Sequence, residues 1–247
     1  MPRQFVGFPK AMQAFFRGLK RNNTREWFGP RKHIFEESVR RPMVQLVTQV
    51  NDALRRFAVD NVVPDPAKAI YRIYRDTRFS KDKTPYKTHI GATFGRAGLP
   101  KHAGASYYFG VSDNQVELAG GVYMPGPEEL TAIRAAIVAD PDGFLKVARN
   151  RALTRPMGTI QGDKLKRVPR EWADRAPSPV ADYLKFKSLY WYVVLPASLA
   201  LGPKIASEVI RRFRAMRNAM EWFNRAILTA RAKQAAESRP LRPEPMW

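Results

Sequence analysis

SYYFGVSDNQVELAGGVYM, running from Ser106 to Met124, decides the fold class. Ser106–Val111 and Val116–Met124 are rich in β-branched and aromatic residues and are bounded by Gly, Asp, Asn and Pro, which reads as two strands. The link between them is too short for a helical crossover, so the strands run antiparallel. A strand sends successive side chains to opposite faces, so Tyr107 and Tyr108 diverge and at most one of them lines any given pocket. Gly120 and Gly121 inside the second strand mark a bulge or a close approach of backbone, with the bulge as the simpler reading.

Working outward, Lys87–Phe94 and Lys68–Tyr74 carry the same composition and extend the sheet. On the N-terminal side, Phe8, Met12, Phe15, Phe16 and Leu19 recur at helical spacing, which predicts a helix from Pro9 to Lys20. A second apolar stripe, Ile34 to Leu54, predicts a helix kinked at Pro42. On the C-terminal side, helices are expected over Glu128–Ala139 and Phe144–Arg149, and from Ser178 to about Tyr190, where Ser178-Pro179 has N-cap chemistry. The last and longest spans Ile205 to Ile227, with Arg211, Arg212 and Arg214 on a solvated face. The expectation is one α+β domain, residues 1–234, with a mostly antiparallel central sheet and N- and C-terminal helices packed on it. Residues 235–247, with Pro240, Pro243 and Pro245, read as a disordered tail.

Composition removes several chemistries. The chain has 247 residues and no cysteine, which excludes disulfides, thiolate nucleophiles and Cys-type zinc or iron–sulfur sites. His33, His89 and His102 lack metal-ligand spacing, so no metal and no cofactor is expected. No apolar run is long enough to cross a bilayer, and a cytoplasmic location fits the absence of disulfides. The net charge of +21 points to anionic partners, and only residues 101–150 carry more acid than base.

The densest charge lies in YRIYRDTRFSKDKTPYKTH, Tyr71 to His89. A turn-rich loop between two strands gathers binding groups, and arginine forks with lysine point charges suit phosphate or carboxylate oxygens. Arg75, Arg78, Lys83 and Lys87 form the expected convergent set, with Asp76 orienting a guanidinium and Arg72, Tyr86 and Lys187 as further candidates. Asp76 and Asp82 are open to two readings, an acid or base, or plain ion pairs that hold the loop. No catalytic residue is assigned. The favoured partner is a phosphate-bearing or other anionic small molecule. The alternatives are nucleic acid bound by a diffuse basic surface, and a non-catalytic scaffold.

NNTREWF at Asn22–Phe28, the Tyr71–His89 stretch, LAGGVYMP at Leu118–Pro125, LKRVP at Leu165–Pro169 and LKFKS at Leu184–Ser188 together resemble the DUF2461 family. The likeness runs in order from about Phe8 to about Leu228. Where that pattern leads one to expect PKGF, this chain has PREW at Pro169–Trp172. The resemblance implies a single α+β domain and supplies no catalytic residues. In NNTREWF, Thr24 reads as a helix cap, with Glu26 and Trp27 as open candidates.

Overall fold

The computed structural model describes residues 4–100, 103–174 and 178–237. Its centre is a four-stranded antiparallel sheet in the order β1 (His89–Phe94), β2 (Ser106–Ser112), β3 (Gln115–Val122) and β4 (Leu189–Pro196). The β2–β3 hairpin closes on Asp113-Asn114, where the Ser112 hydroxyl donates to Asn114 Oδ1 at 2.7 Å and accepts from the Gln115 N–H at 3.3 Å. The short-link argument for antiparallel pairing therefore holds.

Three expectations are corrected. Lys68–Tyr74 is not a strand, because Asp65 accepts from the Ala67 N–H and opens a helical turn, Pro66–Ala69. After that turn only isolated bridges remain, Ile70 to Ala92 and Tyr74 to Tyr86. The helix from Ser178 ends at Ala181, and the chain re-enters the sheet at Leu189. The reason lies in LYWYVVLP itself, whose β-branched and aromatic residues suit a pleated surface and whose backbone satisfies the free edge of β3. Finally, Gly120 and Gly121 make no bulge, since the register Tyr107↔Gly120 and Ser106↔Gly121 is uninterrupted. They mark close approach instead. A Cβ at Gly120 would lie 2.6 Å from Met216 Sδ, and one at Gly121, where φ is +143°, would lie 2.3 Å from the Leu189 carbonyl oxygen.

The helices follow the sequence more closely. Helix α1 (Lys10–Arg21) buries Met12, Phe15, Phe16 and Leu19. A helical run from Lys32 passes through a π-turn, Glu36–Arg40, into α2 (Arg41–Phe57). Pro42 supplies no N–H and clashes with the carbonyl a turn earlier, and the wider π-turn directly before it absorbs that misfit. Next come α3 (Pro127–Ala139), α4 (Pro141–Ala148) and an unexpected α5 (Arg151–Met157). Helix α6 (Lys204–Glu237) has 34 residues, about 51 Å at 1.5 Å per residue. It runs past Ala235, and the rest of the expected tail, 238–247, lies outside the described residues.

One face of the sheet carries the core. Phe94, Tyr107, Leu118 and Trp191 are buried there, and Phe213 of α6 lies 5.5 Å from the Phe94 ring and 4.7 Å from the Tyr107 ring. The period of two sends Thr93, Tyr108, Ala119, Tyr190 and Tyr192 to the other face. Among the described residues no helix is long and apolar enough to cross a membrane.

Candidate functional site

The basic loop is held by its own charges. Arg75 bonds Asp82 and Thr84, both through Nη1. Arg78 forks onto Asp76, with Nε 3.0 Å from Oδ1 and Nη2 2.8 Å from Oδ2. Lys83 donates to the Thr77 carbonyl at 2.9 Å. These bonds draw the Asp76 carboxyl down to about 2, chiefly through Arg78, and the Asp82 carboxyl down to about 2, chiefly through Arg75. Asp76 thus holds the Arg78 guanidinium, and Asp82 holds that of Arg75. Arg72 is exposed beside Asp76.

The loop is also anchored from below. Tyr86 is buried, its ring stacked on Phe28 at 4.2 Å, so it packs the loop base and does not face solvent. Asn23 reads the Tyr86 backbone in both directions, donating to its carbonyl at 2.9 Å and accepting from its N–H at 3.0 Å. Thr24 accepts from the Trp27 N–H, the expected cap. Glu26 accepts bonds from its own backbone and Thr24 that lower its carboxyl, while Trp27 lies against Phe15 and under Arg31. NNTREWF and the Tyr71–His89 stretch, distant in sequence, are therefore one structural unit.

An aromatic-lined space lies elsewhere, on the open face of the sheet. A cleft of about 580 Å³ is lined by Tyr71, Lys87, His89, Thr93, Ser106, Tyr108, Tyr123, Tyr190 and Tyr192. Gly91 and Gly110, cross-strand partners in β1 and β2, leave room for the Tyr108 ring, whose hydroxyl sits 2.7 and 2.6 Å from where their Cβ atoms would be. Tyr192 donates to Glu117 Oε1 at 2.5 Å from the neighbouring strand. Lys87 Nζ lies 5.1 Å from the Tyr71 ring centre.

Burial governs the titration of this face. It raises the hydroxyls of Tyr108 and Tyr192, with Glu117 adding to both, and it raises Tyr71. Burial lowers His89, aided by Lys87 and Lys20 and opposed by Glu117, so its imidazole is neutral at pH 7. The lining thus offers hydroxyl donors, ring faces, and a formal positive charge from Lys87. Among the described residues no group of metal-ligating side chains gathers.

Of the residues expected to bind a ligand, Lys87 alone is among the described lining of this cleft. Arg72, Arg75, Asp76, Arg78 and Lys83 belong to the self-paired loop, and Tyr86 to the core beneath it. Lys187 is exposed just before β4, at the end of the sheet opposite His89. The residues that sequence reasoning missed are Tyr71, Tyr190 and Tyr192, while Tyr108 is the one of the Tyr107–Tyr108 pair that lines this cleft. The signal was present in the alternation of Leu189, Trp191 and Val193 with Tyr190, Tyr192 and Val194, which a helical reading through Tyr190 concealed.

A comparison with curated proteins finds no match. A comparison with protein families finds one, described as conserved hypothetical protein (DUF2461), matching residues 11–222. That span takes in the Asn23–Tyr86 clamp, the whole sheet with its tyrosine-lined face and most of α6, and the chain belongs to the DUF2461 family.

Proposed function

We propose that the protein binds an anionic, ring-bearing small molecule in the cleft on the open face of the sheet. The observation that supports this reading is the convergence of Lys87 with Tyr71, Tyr108, Tyr190 and Tyr192 around one space of about 580 Å³. A cleft of this size accommodates a nucleotide or sugar phosphate, and pockets of this kind combine apolar walls with a few placed polar groups. Tyrosine offers a ring face and a hydroxyl with little rotamer freedom to lose, and Lys87 supplies the counter-charge for a phosphate or carboxylate. The nucleic-acid alternative gains less support. Arg211 and Arg212 share Glu208 and Arg214 lies over Phe57, so the three α6 arginines expected on a solvated face have partners within the fold.

The reading is tested by thermal-shift titration with nucleoside monophosphates, sugar phosphates and aromatic carboxylates. A ligand at a hundred times its Kd stabilises the fold by about 2.7 kcal/mol. Stabilisation by a ring-bearing anion that is lost in Tyr108→Ala supports the cleft. If no member of these classes shifts the melting point, or Tyr108→Ala folds and responds like wild type, the proposal fails.

A further inference from the structure

Tyr107 points away from that cleft and carries a different feature. Its side chain is fully enclosed, 0% exposed, with the ring stacked on Phe213, yet its hydroxyl has no hydrogen-bond partner among the described residues. Buried hydroxyls are almost always paired, so an orphan at the wall of a cavity points to something that occupies the cavity. Here the cavity measures about 240 Å³ and lies between the end of α2, residues 58–61, Arg96 and α6. Arg55, Arg56, Arg96 and Arg217 line it, against Asp60 and Glu221. Both carboxylates are already committed, Asp60 to Arg96 at 2.6 Å and Glu221 to Arg217 at 2.8 Å. Arg217 makes its bond through Nε, so its terminal nitrogens have no acceptor among the described residues. The lining is therefore rich in N–H donors and net positive, with the buried Tyr107 among its residues.

We propose that this cavity is a second ligand site, one that holds a phosphoryl group accepting a hydrogen bond from Tyr107 and charge-assisted bonds from Arg96 and Arg217. A phosphoryl dianion presents several acceptor oxygens to match this number of donors, and guanidinium forks suit it geometrically. An adjoining cavity of about 310 Å³ shares Arg96, Glu221 and Asn224 and adds Arg225, which leaves space for the remainder of a phosphate ester. The site is independent of the sheet-face cleft, because Tyr107 and Tyr108 occupy opposite faces of β2.

Isothermal titration of the full chain at constant ionic strength tests this, with orthophosphate, glycerol 3-phosphate and acetate as probes. Wild type, Tyr107→Phe and Arg78→Ala are compared, with melting points as the control for folding. The proposal expects phosphate or its ester to bind wild type and Arg78→Ala, whose guanidinium is paired with Asp76 in the loop, alike. It expects roughly tenfold or greater weakening in Tyr107→Phe, in line with loss of a hydrogen bond to a charged group. The melting point of the unliganded Tyr107→Phe should stay at or above wild type, since the lost hydroxyl had no partner. Tighter binding of orthophosphate identifies a free ion as the occupant, and tighter binding of the ester a phosphorylated molecule. Equal affinity in wild type and Tyr107→Phe, or no binding at all, overturns the site and leaves a hydrated cavity. Acetate binding as tightly as phosphate overturns the phosphoryl assignment, and loss in Arg78→Ala with retention in Tyr107→Phe relocates the anion to the basic loop.

Discussion

Asp76 and Asp82 show how single residues turn a basic stretch into a self-contained loop. Their carboxyls, normally near 3.8, are held at about 2 by Arg78 and Arg75 respectively. A depressed carboxylate contributes stability above its unfolded value and loses it as pH falls through the folded one. The loop should therefore open between about pH 4 and pH 2, seen as faster amide exchange over residues 75–84, and the Asp76→Asn/Asp82→Asn variant should be open already. An acid titration that leaves wild-type exchange in this loop unchanged would count against the pairing. His89 works in the same direction at milder pH. Burial lowers it from 6.5, so the unfolded chain takes up a proton that the folded chain resists, and stability falls as pH drops below about 6.5. Wild type should lose more melting temperature between pH 7 and 5 than His89→Gln. Asn23 is the other decisive residue. Asn23→Ala leaves the Tyr86 N–H and carbonyl without partners and should cost about 1–3 kcal/mol in chemical denaturation, with unchanged stability as the contrary result.

At the scale of elements, what was legible in the sequence depended on whether a pattern was settled locally. The stripe of α1, the hairpin of β2 and β3 and the apolar period of α6 are each satisfied by their own residues' faces, and each was readable. The stripe of the kinked helix was readable too, although the form of its kink, a π-turn before Pro42, was not. Lys68–Tyr74 failed because Asp65-Pro66 starts a helical turn, a local cap that outweighs the alternation after it. Leu189–Pro196 failed for the opposite reason, since the open edge of β3, distant in sequence, recruits it. The basic loop was visible as charge, but its neutralisation was not, because the direction of a guanidinium depends on the fold of the turn. Likewise the tyrosine face required knowing that β4 pairs with β3. Gly121 tests that pairing directly. Gly121→Ala drives a Cβ into the Leu189 carbonyl at a positive φ, so β4 should separate from β3 and cost about 2–4 kcal/mol by urea unfolding. A loss below about 0.5 kcal/mol would contradict the close approach.

For the whole molecule, the sheet divides the structure into two chemical halves. Helices bury one face and set the core, whereas the tyrosines, Lys87 and His89 line the cleft on the other. The net charge of +21 surrounds both and acts through long-range attraction that salt screens within about 10 Å at 0.1 M. Polyanion binding should accordingly weaken steeply with salt, and a salt-independent interaction would be inconsistent with this charge distribution. The central claim is that the binding site is the sheet-face cleft and not the arginine-rich loop. Calorimetric titration of the best ring-bearing anion against wild type, Lys87→Ala and Arg78→Ala measures this directly. The predicted result is a Kd raised roughly tenfold or more in Lys87→Ala, the equivalent of about 1.5–3 kcal/mol for a lost charge-assisted bond, and a Kd within about twofold of wild type in Arg78→Ala. Full affinity in Lys87→Ala with loss of binding in a folded Arg78→Ala would contradict it.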